Sequence, residues 1–156
     1  MKEPTPYDST ADTNAHVERV QDLLKEAGTN LDWRSLAHDL SKFESPEKEA
    51  FDEYTPKLKA LEYGSDEYKA SLAGLGVALQ HHYANNQHHP EHFANGIDGM
   101  SLFDLIEMLI DWKAAGERHA TGSIAKSLEV NKARFKIGDQ LQSVLTNTAR
   151  EMGWLE

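Results

Sequence analysis

The sequence predicts an all-α protein of about six to seven helices, and three observations carry that expectation. Apolar residues recur at three- and four-residue spacing, as on the face formed by His16, Val20, Leu23, Leu24 and Ala27. No segment shows the two-residue alternation of a half-buried strand. Helix-start signals precede several periodic runs: Ser45 before Pro46, Ser65 before Asp66 and Glu67, and Ser101 ahead of Asp104.

Taken in order, residues 1–12 read as a flexible N-terminus with two prolines, and residues 13–156 as one domain. The first helix is expected from about Thr13 to Ala27, with Gly28 at its C-terminus. Asp32 is placed to cap a second, short helix carrying Trp33, Leu36, Ala37 and Leu40. A third begins at "SPEKEAF", with Ser45 as cap, Pro46 in the first position and Glu47 in the first turn, and Pro56 is expected to break or restart it. Ser65 opens a longer helix through Leu72, Leu75 and Leu79 into a run of histidines, ending near Asn86. Residues 87–100, with Pro90, Gly96 and Gly99, form a loop of a length usually reserved for function. Ser101 and Asp104 then cap "LFDLIEMLIDWKAA", the most hydrophobic helix, which ends at Gly116. Amphipathic segments at about 123–136 and 139–151 close the fold, with Trp33 and Trp112 expected in the core.

Composition narrows the function classes. With 26 acidic against 16 basic side chains the formal net charge is -10, which repels duplex nucleic acid. An anionic substrate would therefore need a locally positive site, and bound divalent cations supply such charge. Cysteine is absent, so any metal must be held by nitrogen and oxygen ligands. No apolar run approaches the roughly 18 residues of a membrane span, and "MKEPTPYDST" lacks the apolar core of a signal peptide. A cytoplasmic location without membrane association is expected.

The chemistry concentrates in "ALQHHYANNQHHPEHF", residues 78–93, which holds five of the eight histidines. Imidazole favours neither helices nor cores unless its nitrogens find partners, so a cluster this dense points away from packing. In chain order the candidate ligands are His16, the pair His38 and Asp39, the histidines from His81 to His89, and Asp111 in "LIDW". His16, His38 and Asp111 lie in or beside apolar helical faces, where a polar group needs a partner, and a shared metal provides one. Asp39 has two oxygens and can bridge two cations. The stripe Leu72, Leu75, Leu79 continues at His82 and Asn86, placing both on the inward face, while His81 is offset by about 100°. His88 and His89 open the following loop, where one of them can reach a second cation. Glu107, four residues before Asp111, shares its side of the helix, and Asp104 belongs to the helix start. For each residue singly, a hydrogen-bonded core histidine, a helix-end pair or a solvated charge explains it as well; the ordered set does not reduce to these.

This order of His, HD, further histidines and Asp resembles the HD-domain superfamily of metal-dependent phosphohydrolases. "HDLSKF" is similar to that superfamily's extended motif, in which a lysine follows the aspartate by three residues, as Lys42 does here. His82, His88 and His89 resemble the additional histidines of its binuclear branch. "HD.SKF", "H...N.HHPEH" and "EM..DW" together look like a family of small, uncharacterised HD-like proteins, and the motif core spans residues 16–111. The "GYP" element of the cyclic-dinucleotide branch is missing. The resemblance implies an HD-like helical bundle around two divalent ions (Mn, Fe, Co, Ni or Mg). Asp39 would bridge the ions, with His16, His38 and Asp111 holding the first and His82 with His88 or His89 the second. It implies hydrolysis of a nucleotide or other small phosphate ester by a metal-activated water, with Asp39 and Lys42 catalytic and Lys42 on the substrate phosphate. Asn86 and Glu91 are candidates for substrate contact or for support of the ligands, and a helix cap and an exposed charge explain them almost as well. The alternatives are a di-iron oxygenase acting on an inositol- or phosphonate-type substrate, and a non-catalytic metal-binding module.

Overall fold

The computed structural model describes residues 7–62 and 65–155. Among them the chain forms seven α-helices and no strand: α1 Thr10–Ala37, α2 Glu47–Lys59, α3 Asp66–Ala73, α4 Gly76–Asn85, α5 Leu102–Glu117, α6 Ile124–Phe135 and α7 Asp139–Glu151. Short 3-10 turns occupy Leu40–Phe43, Pro90–His92 and Gly96–Gly99. The chain divides into two compact units, the first ending at Ala37 and the second beginning at His38. None of the helices is long and apolar enough to cross a membrane.

The first unit is α1. The expected stop at Gly28 and restart at Asp32 do not occur, and one helix runs through both. Gly28 keeps a negative φ, and a glycine inside a helix costs only about 1 kcal/mol relative to alanine, so it ends a helix only where the backbone also turns left-handed. Of the expected irregular N-terminus, residues 1–6 lie outside the described residues, and the helix already begins at Thr10. Its first turn is held by Asp8, whose carboxylate accepts from the Thr10 amide at 3.0 Å and hydroxyl at 2.6 Å. Within this unit Trp33, expected in the core, lies on a lone helix with no second element to pack against.

In the second unit α2 runs past Pro56 and ends one turn later. Proline removes one amide donor near the C-terminus, and here the helix continues without it. Ser65 caps α3 by accepting from the Tyr68 amide at 3.1 Å. The single long helix expected from Ser65 is instead two, because the chain turns at Gly74–Gly76. A Cβ on Gly74 would stand 2.4 Å from the Tyr54 ring, and Gly76 has φ +31°. Only glycine permits that approach and that backbone. The Ser101–Asp104 capping box starts α5: Asp104 accepts from the Ser101 amide at 2.7 Å, and Ser101 accepts from the Asp104 amide at 3.2 Å.

The apolar core joins α5, α6 and α7 through Met108, Leu109, Trp112, Ile124, Leu128, Ile137, Leu145 and Ala149. Each large aliphatic buried here contributes about 1.5–3 kcal/mol. Trp112 stacks on Phe135 with the ring planes 3° apart. This core fixes α5, and α5 carries Glu107 and Asp111 toward the histidines.

Candidate metal centre

Asp39 sits at the start of the Leu40–Phe43 turn with φ +58°, a left-handed backbone that aspartate tolerates better than most residues. Around its carboxylate the structure gathers two sets of potential metal ligands. One is Asp39, His82, His88 and His89; the other is His38, Asp39, His88 and Asp111. Within each set the ligand atoms all lie within 4.8 Å of one another. Asp39 and His88 belong to both.

The two Asp39 oxygens divide the work. Oδ1 stands 3.4 Å from His82 Nε2 and 3.5 Å from His88 Nε2. Two ligands each about 2.1 Å from one tetrahedral ion stand about 3.4 Å apart, so this spacing is what a shared cation produces. Oδ2 faces the other way, 3.3 Å from His38 Nε2 and 2.6 Å from Lys42 Nζ. Asp111 Oδ1 is 3.8 Å from His38 Nε2.

The ring tautomers point to the same use. His38 Nδ1 donates to Glu107 Oε1 at 2.8 Å, and His88 Nδ1 approaches the same oxygen at 3.1 Å. His82 Nδ1 donates to Glu47 Oε2 at 2.8 Å. A carboxylate that takes the Nδ1 proton leaves the Nε2 lone pair for a metal and fixes the ring's direction. His82 and His88 thus turn their Nε2 atoms toward Asp39 Oδ1, while His38, bonded through both nitrogens, must give up its Nε2 proton before it can ligate. Two buried atoms of the centre, Asp39 Oδ1 and His88 Nε2, have no hydrogen-bond partner. Buried lone pairs facing one another cost free energy unless a cation lies between them, and a divalent ion fits this donor set.

Electrostatics divides the cluster as the geometry does. Burial drives the His89 imidazole down to about 2, helped by neighbouring His88 and His82. Burial likewise lowers His82, aided by the Lys42 charge and opposed by Asp39 and Glu47. Both shifts favour the neutral ring, the form in which imidazole can ligate a metal. His38 is pushed up to about 10 by its hydrogen bond to Asp39 and then by that to Glu107. Burial raises the Asp39 carboxyl, but the His38 hydrogen bond and Lys42 more than reverse this and hold it well below the usual carboxylate range. Glu47, wholly buried, is raised by burial but held low by hydrogen bonds from His81, Ser41 and His82.

The remaining candidates fall in different places. His16 lies on α1, in the first unit, and belongs to neither ligand set. His81 is also outside both sets and gives its Nδ1 to Glu47 Oε1 at 2.7 Å. Asn86 is buried, and its amide donates to Ser41 Oγ and the His82 carbonyl, both at 2.8 Å. It braces the His82 backbone. Glu91 accepts from Arg134 at 2.6 Å, tying the turn after His89 to α6. Lys42, besides holding Asp39, lies 5.1 Å from the Phe51 ring centroid. Glu47 is the residue the sequence did not single out: at a helix start it looks like any first-turn acid, and only its burial marks it. His38, Asp39, Lys42 and Asp111 line a cavity of about 520 Å³.

A family model described as a family of unknown function, DUF5662, matches residues 5–152. The chain belongs to that family. No curated protein and no solved structure matches it.

Proposed function

We propose that this DUF5662 protein is a metal-dependent phosphohydrolase of the HD type, with two divalent ions held around Asp39. The observation that carries the reading is the pair of buried, unpartnered atoms Asp39 Oδ1 and His88 Nε2, flanked by His82 and His89 on one side and by His38 and Asp111 on the other. A divalent ion bound there would supply a water of lowered pKa and neutralise phosphoryl charge. Asp39, common to both ligand sets, would be shared by the two ions. Glu107 and Glu47 orient the imidazoles that face it.

Lys42 and Asp39 both line the cavity, so a phosphate ester entering it meets an ammonium group beside the metal ligands. Lys42 neutralises charge on the phosphoryl oxygens as the ester bond breaks. The oxygen of a water forms the new P–O bond, the ester P–O bond breaks, and the departing oxygen takes up a proton. Asn86 and Glu91 are proposed to support the ligands rather than to touch substrate, since their polar atoms serve the His82 backbone and Arg134.

The test is hydrolysis of small phosphate monoesters by protein reconstituted separately with Mn²⁺, Fe²⁺, Co²⁺, Ni²⁺ and Mg²⁺. Phosphate release that disappears in Asp39→Asn is expected. Oxygen uptake coupled to substrate loss in the iron form, without phosphate release, would replace hydrolase by oxygenase. Metal binding without either reaction would leave a binding module.

A further inference from the structure

The cavity beside Asp39 is formed by α2, α3, α4 and α5, and its walls differ from its metal end. Phe51 on α2, Leu72 on α3, Leu75 between the helices and Leu79 on α4 present hydrocarbon to it. The apolar stripe that leads toward His82 therefore lines a void as well as a core. At about 520 Å³ the space is that of a small-molecule site, far larger than two ions and a phosphate require. Thr55, Tyr68 and His119 add a few polar groups to these mainly apolar walls.

Two further cations line the same cavity, Lys59 at the end of α2 and Arg118 at the end of α5. Elsewhere basic side chains commonly have acidic partners: Lys132 pairs with Asp139, Arg134 with Glu91 and Lys113 with Glu117. In a chain with 26 acidic and 16 basic residues, Lys59 and Arg118 have no ion pair among the described residues. Arg118 follows Asp111 by two turns of α5, about 10 Å along the axis, and two unpaired cations lining one void are placed to receive a second negative charge.

We propose that the substrate is a phosphate ester with an apolar, ring-like or hydrocarbon body and a second anionic group, its phosphate at the Asp39 and Lys42 end, its body against Phe51, Leu72, Leu75 and Leu79, and its distal anion on Lys59 and Arg118. The inference rests on the phosphoester reading of the metal end. Burial of the body supplies affinity, and the distal cations select for charge.

The test is calorimetric binding of non-hydrolysable phosphonates to the full chain loaded with metal. The probes are 2-naphthylmethylphosphonate, its 6-carboxylate, and 3-hydroxypropylphosphonate, which has a polar body. The carboxylate should bind about fivefold more tightly than the parent naphthyl compound, the gain expected of two partly solvated ion pairs. In the Lys59→Ala/Arg118→Ala double variant that gain should vanish while the parent binds as before. The hydroxypropyl compound should bind at least about tenfold more weakly than the naphthyl parent, because it buries little apolar area. Equal binding of carboxylate and parent, a gain that survives the double variant, or a hydroxypropyl compound that binds as well as the naphthyl one would each overturn the proposal. If binding follows the expected order but no phosphate ester is hydrolysed, the hydrolytic reading fails and the recognition stands.

Discussion

Replacing Glu107 by glutamine keeps the shape of the side chain and removes the charge that holds His38 and His88. Both Nδ1 atoms meet the same oxygen, Oε1, at 2.8 and 3.1 Å, so one substitution loosens two ligands. His88 belongs to both ligand sets, and the loss should therefore reach both ions. Removing a carboxylate that orients a ligating histidine costs about 10–100-fold in metal affinity, or about 1.4–2.7 kcal/mol. His38 also contributes to stability through its raised pKa: the contribution is complete below the unfolded value near 6.5 and disappears as pH rises through about 10. Glu107→Gln lowers that upper limit, so the metal-free variant should lose stability relative to wild type at pH 6 and less at pH 10. The assay is titration with Mn²⁺ or Co²⁺ against a competing chelator. Glu117→Gln, on the same helix but in an exposed pair with Lys113, serves as control and should bind metal as wild type does. Affinity of Glu107→Gln within about twofold of wild type would refute the claim that this carboxylate orients the ligands.

Three further outcomes follow from the same geometry. His82→Ala should lose about one equivalent of metal, whereas His81→Ala, which leaves both ligand sets intact, should retain its metal content; the reverse result would require redrawing the centre around His81. Lys42→Met frees Asp39 Oδ2 from its ammonium partner, so metal occupancy should hold or rise while turnover of phosphate monoesters falls, and an unchanged turnover would remove Lys42 from the reaction. Loading the His38 side at pH 7 should release about one proton per ion, because His38 is charged up to a pH of about 10, and affinity there should climb with pH. Loading the side that holds His89, neutral above about 2, should release none from that ring, and calorimetry in buffers of different ionisation enthalpy separates the two.

How far the sequence revealed this arrangement depends on what each residue's position depends on. Helical periodicity and capping are local, and they located α5, α6 and α7 to within a residue or two and set His82 on an inward face. The breaks in the other helices were misjudged because they depend on contacts at a distance or on how the backbone is held. Gly28 passes through a helix undisturbed, while the break between α3 and α4 has Gly76 at φ +31° and Gly74 packed against the Tyr54 ring. Most of the candidate ligands stand out by residue type and order alone. Their partners do not: Glu47 lies 34 residues before His81, and that pairing exists only once α2 meets α4. Glu107 was visible as a carboxylate on the ligand side of α5, but its hold on both His38 and His88 required the loop after α4 to be placed.

Asp39 is proposed as the bridge between two metal positions, and metal stoichiometry tests that most directly. Wild-type protein and Asp39→Asn would be reconstituted with Mn²⁺ or Fe²⁺ under anaerobic conditions, desalted and analysed for metal per chain. About two ions per wild-type chain, falling together toward zero in the variant, is the predicted result. A wild-type chain that retains no metal, or an Asp39→Asn chain that keeps its full complement, would contradict it.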